Sequence, residues 1–160
     1  MGEGPVFFMG RELASAEQVE WELKCSRAVT SDVIWKLDAY RSALFLLDVA
    51  RTDARADARA AFATRPEEGI AAQLIRAAGS VSANIGEGYS RSTRADRLRF
   101  LGYALGSARE CMSWYHALMD ALPRPTLDSR LLLLSRIRAL LLGLIRSLRA
   151  KSAPHHEFEG

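Results

Sequence analysis

Residues Gln73 to Ser92 read QLIRAAGSVSANIGEGYSRS, and the fold is decided there. With Pro66 as an opening residue, a helix from 66 to 87 puts Ile70, Leu74, Ala77, Val81 and Ile85 on one face. The rest of its surface is slim: Ala71, Ala72, Ala78, Gly79, Ser80, Ser82, Ala83 and Gly86. Small side chains let neighbouring helices approach closely, so this helix is central rather than peripheral. A glycine inside a helix costs about 1 kcal/mol, and close packing at Gly79 and Gly86 is the expected compensation. Gly88 reads as a left-handed C-terminal stop.

Downstream, Thr93 caps the next helix, with Asp96 three residues on as a short-armed capping box. Leu98, Leu101, Leu105, Ala108, Met112, Tyr115, Met119 and Leu122 then alternate in steps of three and four, a heptad seam over about seven turns. A second stripe, Phe100, Ala104, Ser107, Cys111, Trp114, Leu118 and Ala121, predicts cover on more than one side. After Pro123 and Pro125 a last helix spans 126–149, with a core face of Leu127, Leu131, Leu134, Ile137, Leu141, Leu144, Ile145 and Leu148. Leu132, Leu133, Leu140 and Leu142 fall outside that stripe and predict a partner surface, most simply a second copy of the chain.

Upstream, a helix beginning near Thr30–Asp32 carries Leu37, Tyr40, Leu44 and Leu47, and its end between residues 51 and 65 is left open by an alanine-rich run. The pattern is all-α: an antiparallel up-down four-helix bundle over 31–150. Residues 1–30 read as a flexible or loosely docked N-terminal extension with Met9 as an alternative start, and 151–160 as a disordered tail.

A chain of 160 residues, 49% hydrophobic and 26% charged, is one ordinary globular domain. Cys25 and Cys111 make no disulfide framework, no secretory signal opens the chain, and arginines interrupt the apolar run 131–148; the expectation is a cytoplasmic protein with no membrane partner. Of its 22 basic residues, 19 are arginine. Residues 90–100 set four arginines against Asp96, and residues 124–151 set six arginines and Lys151 against Asp128, so the overall +3 hides two basic clusters. Arginine's planar fork suits phosphate and carboxylate.

From Gln73 to Glu110 the chain resembles the small bacterial family first met as the 23S rRNA intervening-sequence protein, which includes Avd, the accessory protein of diversity-generating retroelements. The resemblance rests on Gln73, Leu74, Arg76, Ala77, Ala78, Ser80, Asn84, Ile85, Glu87, Gly88 and Arg91, then Phe100, Leu101, Ala104, Leu105, Gly106, Ser107 and Glu110. Looser similarity covers roughly 31–150, with Gly79, Gly86 and the extension as departures. It implies a homopentameric ring or barrel of bundles with a basic surface, nucleic-acid binding and, in the retroelement branch, partnership with a reverse transcriptase and its template RNA.

No residue set points to catalysis. Cys111 and His116, five apart, do not share a helix face; His155 and His156 lie in the tail; phosphate-loop, GxSxG, ExxH and metal-ligand patterns are lacking. The reading is therefore a non-enzyme with no cofactor and no metal. Gln73, Ser80, Asn84 and Glu87 share one flank of their helix and read first as a structural polar ladder fixing register, with Glu110 as a further member. The nucleic-acid-binding candidates are Arg91, Arg94, Arg97 and Arg99 at a helix N-terminus, where free N–H groups favour phosphate, and Arg136, Arg138, Arg146 and Arg149 over an arc of roughly 160° on the last helix. Of the aromatics only Tyr89 lies among them, so salt-sensitive backbone contact with RNA or DNA is expected rather than base reading. The alternative is an interaction scaffold whose arginines meet acidic proteins or its own subunits.

Overall fold

A computed structural model describes residues 14–60 and 66–150, and among them every regular element is helical. Two short helices, α1 (Ala16–Lys24) and α2 (Arg27–Thr30), and a 3-10 turn at Val33–Lys36 precede four long ones: α3 (Asp38–Ala60), α4 (Pro66–Ser90), α5 (Arg94–Ala117) and α6 (Arg124–Ala150). Each long helix packs on its neighbour in sequence, and α6 returns to α3. Leu46, Leu74, Val81, Ile85, Ala104, Tyr115, Leu134, Ile137 and Leu141 fill the space between them.

The expected first helix is two structures. Asp32 caps the 3-10 turn by accepting from the Ile34 N–H (3.0 Å), and Leu37 is extended, so α3 starts only at Asp38. It continues to Ala60, well into the alanine-rich interval 51–65; residues 61–65 lie outside the described residues, as do Met9 and the tail 151–160.

The glycines in and after the opening stretch play other parts than their positions suggest. Gly88 does not stop α4, which runs on to Ser90. A Cβ there would meet the Phe100 Cβ at 3.0 Å, so Gly88 lets α5 lie against the end of α4. A Cβ at Gly79 or Gly86 would make ordinary contact at 3.9 Å and 3.8 Å, so close packing does not require glycine at either.

The Thr93 cap forms as its sequence indicates: its hydroxyl accepts from the Asp96 N–H (3.1 Å) and donates to the Asp96 carboxylate (2.7 Å). Helix α5 ends at Ala117, earlier than its heptads suggest, yet Leu118 and Leu122 stay buried in the turn beyond. The surplus leucines of α6 are mostly absorbed within the chain. Leu133 is buried, Leu140 and Leu142 pack half-buried on the core, and only Leu132 stands open, at 73% exposure.

In the N-terminal segment, Ser15 caps α1 by accepting from the Gln18 N–H. Trp21 lies beside Trp35 and Phe45, with ring centroids 6.2 and 5.6 Å away. Gln18 is 1% exposed, donating to Glu22 (2.8 Å) and to Ser42 of α3 (3.3 Å).

Candidate nucleic-acid interface

The turn from α4 to α5 gathers Arg91, Arg94, Arg97 and Arg99, all exposed, around the capped N-terminus of α5. The Gly88 contact brings Phe100 to the turn, and the Arg91 and Arg99 guanidiniums lie 4.9 and 5.4 Å from its ring centroid. Arg91 also pairs with Glu87, Arg99 pairs with Asp96 (2.9 Å), and the Arg97 Nε–H donates to the Arg91 carbonyl (2.6 Å). Two carboxylates therefore face four guanidiniums. Exposed pairs of this kind are worth about 0–1 kcal/mol, so a phosphate can displace them at little cost. Phe100 meanwhile holds the Arg91 and Arg99 forks, and the Arg91 carbonyl holds that of Arg97. Phe100 belonged to the quoted motif, but nothing in its spacing announced this role.

The four α6 candidates do not form one band. Arg146 and Arg149 are exposed, whereas Arg138 is half-buried and donates to the Met112 sulfur of α5 (3.6 Å). Arg136 lies beneath α1 and donates to the Gln18 side-chain oxygen (2.9 Å). Burial lowers its pKa from the ordinary guanidinium value; Asp38 and Glu22 oppose that shift and Arg41 adds to it. Arg136 and Arg146 line a groove of about 540 Å³ between α1 and α6, with Leu132, Leu133, Leu140 and Gly143 among its walls.

Of the polar-ladder residues, Asn84, Glu87 and Glu110 bond to partners four residues away along the chain. Gln73, Ser80 and Asn84 are half-buried, and the Asn84 amide donates to the Ser80 carbonyl (2.8 Å). Glu87 and Glu110 are exposed; Glu87 takes Arg91, and Glu110 accepts from the Trp114 indole N–H (3.2 Å).

The buried polar network is elsewhere. Arg130 of α6 donates through Nε to Asp53 of α3 (2.9 Å) and through Nη1 to Glu17 of α1 (3.0 Å), while the Tyr115 hydroxyl of α5 donates to Asp53 (2.9 Å). Burial pulls the Arg130 pKa down, but the hydrogen bonds and charges of Asp53 and then Glu17 reverse this and hold it above the ordinary value. Burial, then Asp53, push the Tyr115 phenol up. A signal for this site exists in the sequence: Arg130 stands three residues after Leu127 and four before Leu134, a core position.

Among the described residues no three His, Cys, Asp or Glu side chains converge where they could hold a metal, and no helix is long and apolar enough to cross a membrane. Cys25 and Cys111 are free thiols.

Residues 54–141 match the family model described as the 23S rRNA-intervening sequence protein. No curated protein matches the chain. Among solved structures it is similar to a protein of unknown function from the S23 ribosomal protein family of Bacteroides thetaiotaomicron VPI-5482, with 22% identity and a TM-score of 0.59. The match covers 68% of this chain and 98% of that one. At that identity the likeness concerns the fold. The family match begins at Ala54, so α1, α2 and the 3-10 turn all lie before it.

Proposed function

The chain belongs to the 23S rRNA-intervening sequence protein family, and from that premise we propose that it is a non-catalytic, oligomeric accessory protein that binds nucleic acid through phosphate contacts. In this reading its four long helices form an antiparallel up-down bundle, and five copies close into a ring in the cytoplasm. The observation that carries the proposal is the α4–α5 turn: four exposed arginines at one helix N-terminus, two of them, Arg91 and Arg99, in weak surface pairs and against Phe100. Free N–H groups and guanidinium forks there suit a phosphate backbone. The family's printed name points to RNA as the first ligand to try. A reverse transcriptase is the protein partner to seek where its gene neighbours this one.

Titration with RNA and duplex DNA across a salt series tests the reading. Affinity should fall steeply with salt, and Arg91→Ala, Arg94→Ala and Arg97→Ala together should flatten the slope by about three units for a duplex, nearly one per lost phosphate contact. Absence of binding at low salt by a folded protein would sink the proposal. Light scattering tests the ring, which a monomer would remove. A second reading has one observation in its favour: Arg91 and Arg99 already hold carboxylates, Glu87 and Asp96. An acidic protein could replace those groups as readily as phosphate, and its binding in place of RNA would identify the chain as a scaffold.

A further inference from the structure

Helix α1 is built into the fold as a wall. Its Gln18 is almost fully buried, its Glu17 pairs with buried Arg130 (3.0 Å), and its Trp21 lies beside Trp35 and Phe45. The groove of about 540 Å³ between this wall and α6 is therefore a standing feature of the chain. That volume falls within the range of small-molecule sites, which are concave, mostly apolar and furnished with few polar groups. Helix α1 precedes the family match at residues 54–141, so the groove depends on a segment outside the matched region.

Shape and charge say what would fill it. Phe45, Leu132, Leu133 and Leu140 give the groove an apolar surface, and Leu132 is left open at its edge. Gly143 keeps the α6 side clear: a Cβ there would meet nothing within 4 Å. Glycine weakens a helix interior, and no neighbour among the described residues needs the room it leaves. Arg136 and Arg146 line the groove, and no carboxylate does. Arg136 is engaged within the chain and contributes a positive charge to the wall. Arg146 is exposed, and among the described residues no carboxylate pairs with it. It stands fourteen residues, about 21 Å, along α6 from Leu132. The result is a long apolar slot with an available guanidinium at one end.

We infer that this groove binds a long-chain anionic amphiphile of the fatty-acid type, with its carboxylate on Arg146 and its acyl chain along Leu140, Leu133 and Leu132. A guanidinium takes a carboxylate through two parallel N–H···O bonds, and each buried CH₂ raises affinity about fourfold. A purely apolar ligand would leave Arg146 unused, and a nucleic-acid backbone would leave the leucines bare. The inference goes beyond the nucleic-acid reading and does not depend on it, since that reading rests on the α4–α5 turn.

Calorimetric titration of the full chain with dodecanoate, kept below its micelle concentration, is the test. One saturable site per chain is expected, with octanoate bound more than about tenfold more weakly. Arg146→Ala should weaken dodecanoate about tenfold, the loss of a hydrogen bond to a charged group, and leave the neutral dodecanol unchanged. Gly143→Leu should abolish binding of both by filling the slot. Gly106→Leu, at a glycine of α5 where a Cβ likewise meets nothing, should change neither. Leu132→Asp gives a second variant at a position already open to solvent, and it should weaken dodecanoate severalfold. Several results would overturn the inference: no saturable binding, dodecanol bound as tightly as dodecanoate, binding that survives Gly143→Leu in a folded protein, or an equal loss in Gly106→Leu. Light scattering during the titration adds one more. If dodecanoate binds only as an assembly falls apart, the groove is covered by a second copy and is no ligand site.

Discussion

Asp53→Ala is the substitution with the largest expected effect on this fold. The carboxylate is 5% exposed and accepts from Arg130 Nε at 2.9 Å, Arg130 Nη2 at 3.3 Å and the Tyr115 hydroxyl at 2.9 Å. Removing it leaves a guanidinium and a phenol buried with donors unmet, and breaking a buried ion pair from one side costs about 3–5 kcal/mol. Glu17 still reaches Arg130 at 3.0 Å from a half-exposed position, which places the expectation at the low end, about 3 kcal/mol. For a chain of this size each kcal/mol moves the melting temperature by about 2–4 °C, so the variant should melt about 6–12 °C lower. Tyr115→Phe removes one hydroxyl and should cost about 1 kcal/mol. Asp128→Ala breaks the exposed Arg124–Asp128 pair and should cost less than about 1 kcal/mol. Replacing the whole set with apolar residues, Asp53→Leu with Arg130→Met and Tyr115→Phe, should recover most of the loss, because no charge is then stranded. Thermal melts with urea titrations measure all four. If Asp53→Ala and Asp128→Ala lower stability equally, the reasoning from buried charge is wrong.

Two further outcomes follow from single positions. Gly88→Ala should destabilise by about 1–3 kcal/mol, since its Cβ would press on the Phe100 Cβ at 3.0 Å; Gly86→Ala, with only ordinary contacts at 3.8 Å, should instead stabilise by up to about 1 kcal/mol. Melting curves of the pair give the sign of each. Burial, then the Glu110 charge, pushes the Cys111 thiol up from 9.0 to about 12. A thiol whose folded pKa lies above its unfolded value stabilises fully below pH 9, and that contribution is lost as pH rises from 9 towards 12. Stability should therefore fall by about 1.4 kcal/mol per pH unit more steeply than in Cys111→Ala over that window, as urea midpoints at pH 8, 9.5 and 10.5 would show.

Helices α4 to α6 were legible in the sequence because periodicity carries them: Leu101, Leu105 and Ala108 of the α5 seam are buried, as are Leu134, Ile137 and Leu141 of α6. The Thr93 cap was legible because its partners are three residues apart. Gly88 was misread because a glycine that ends a helix and one that admits a neighbour look alike until the neighbour, Phe100, is placed. The start of α3 was missed because Asp32 can cap a single 3-10 turn as well as a long helix. The Asp53–Arg130 pair spans 77 positions, so each member could be marked as a polar residue on an apolar stripe, but their meeting could not.

The same difference between local and tertiary signals decides what an arginine count is worth. Two basic clusters in the sequence have different fates in the fold. At the α4–α5 turn the arginines follow one another across a helix start, where neighbours in sequence stay neighbours at the surface, and all four remain exposed. On α6 they are spread around a helix packed against both α3 and α5, so rotation alone assigns them different surroundings. Arg130 goes into the core, Arg138 against Met112, Arg136 beneath α1, and only Arg146 and Arg149 of the four candidates stay exposed. A band drawn by charge alone therefore overstates α6 and understates the turn. Phosphate contact should start at Arg91, Arg94, Arg97 and Arg99, with α6 contributing through Arg146 and Arg149.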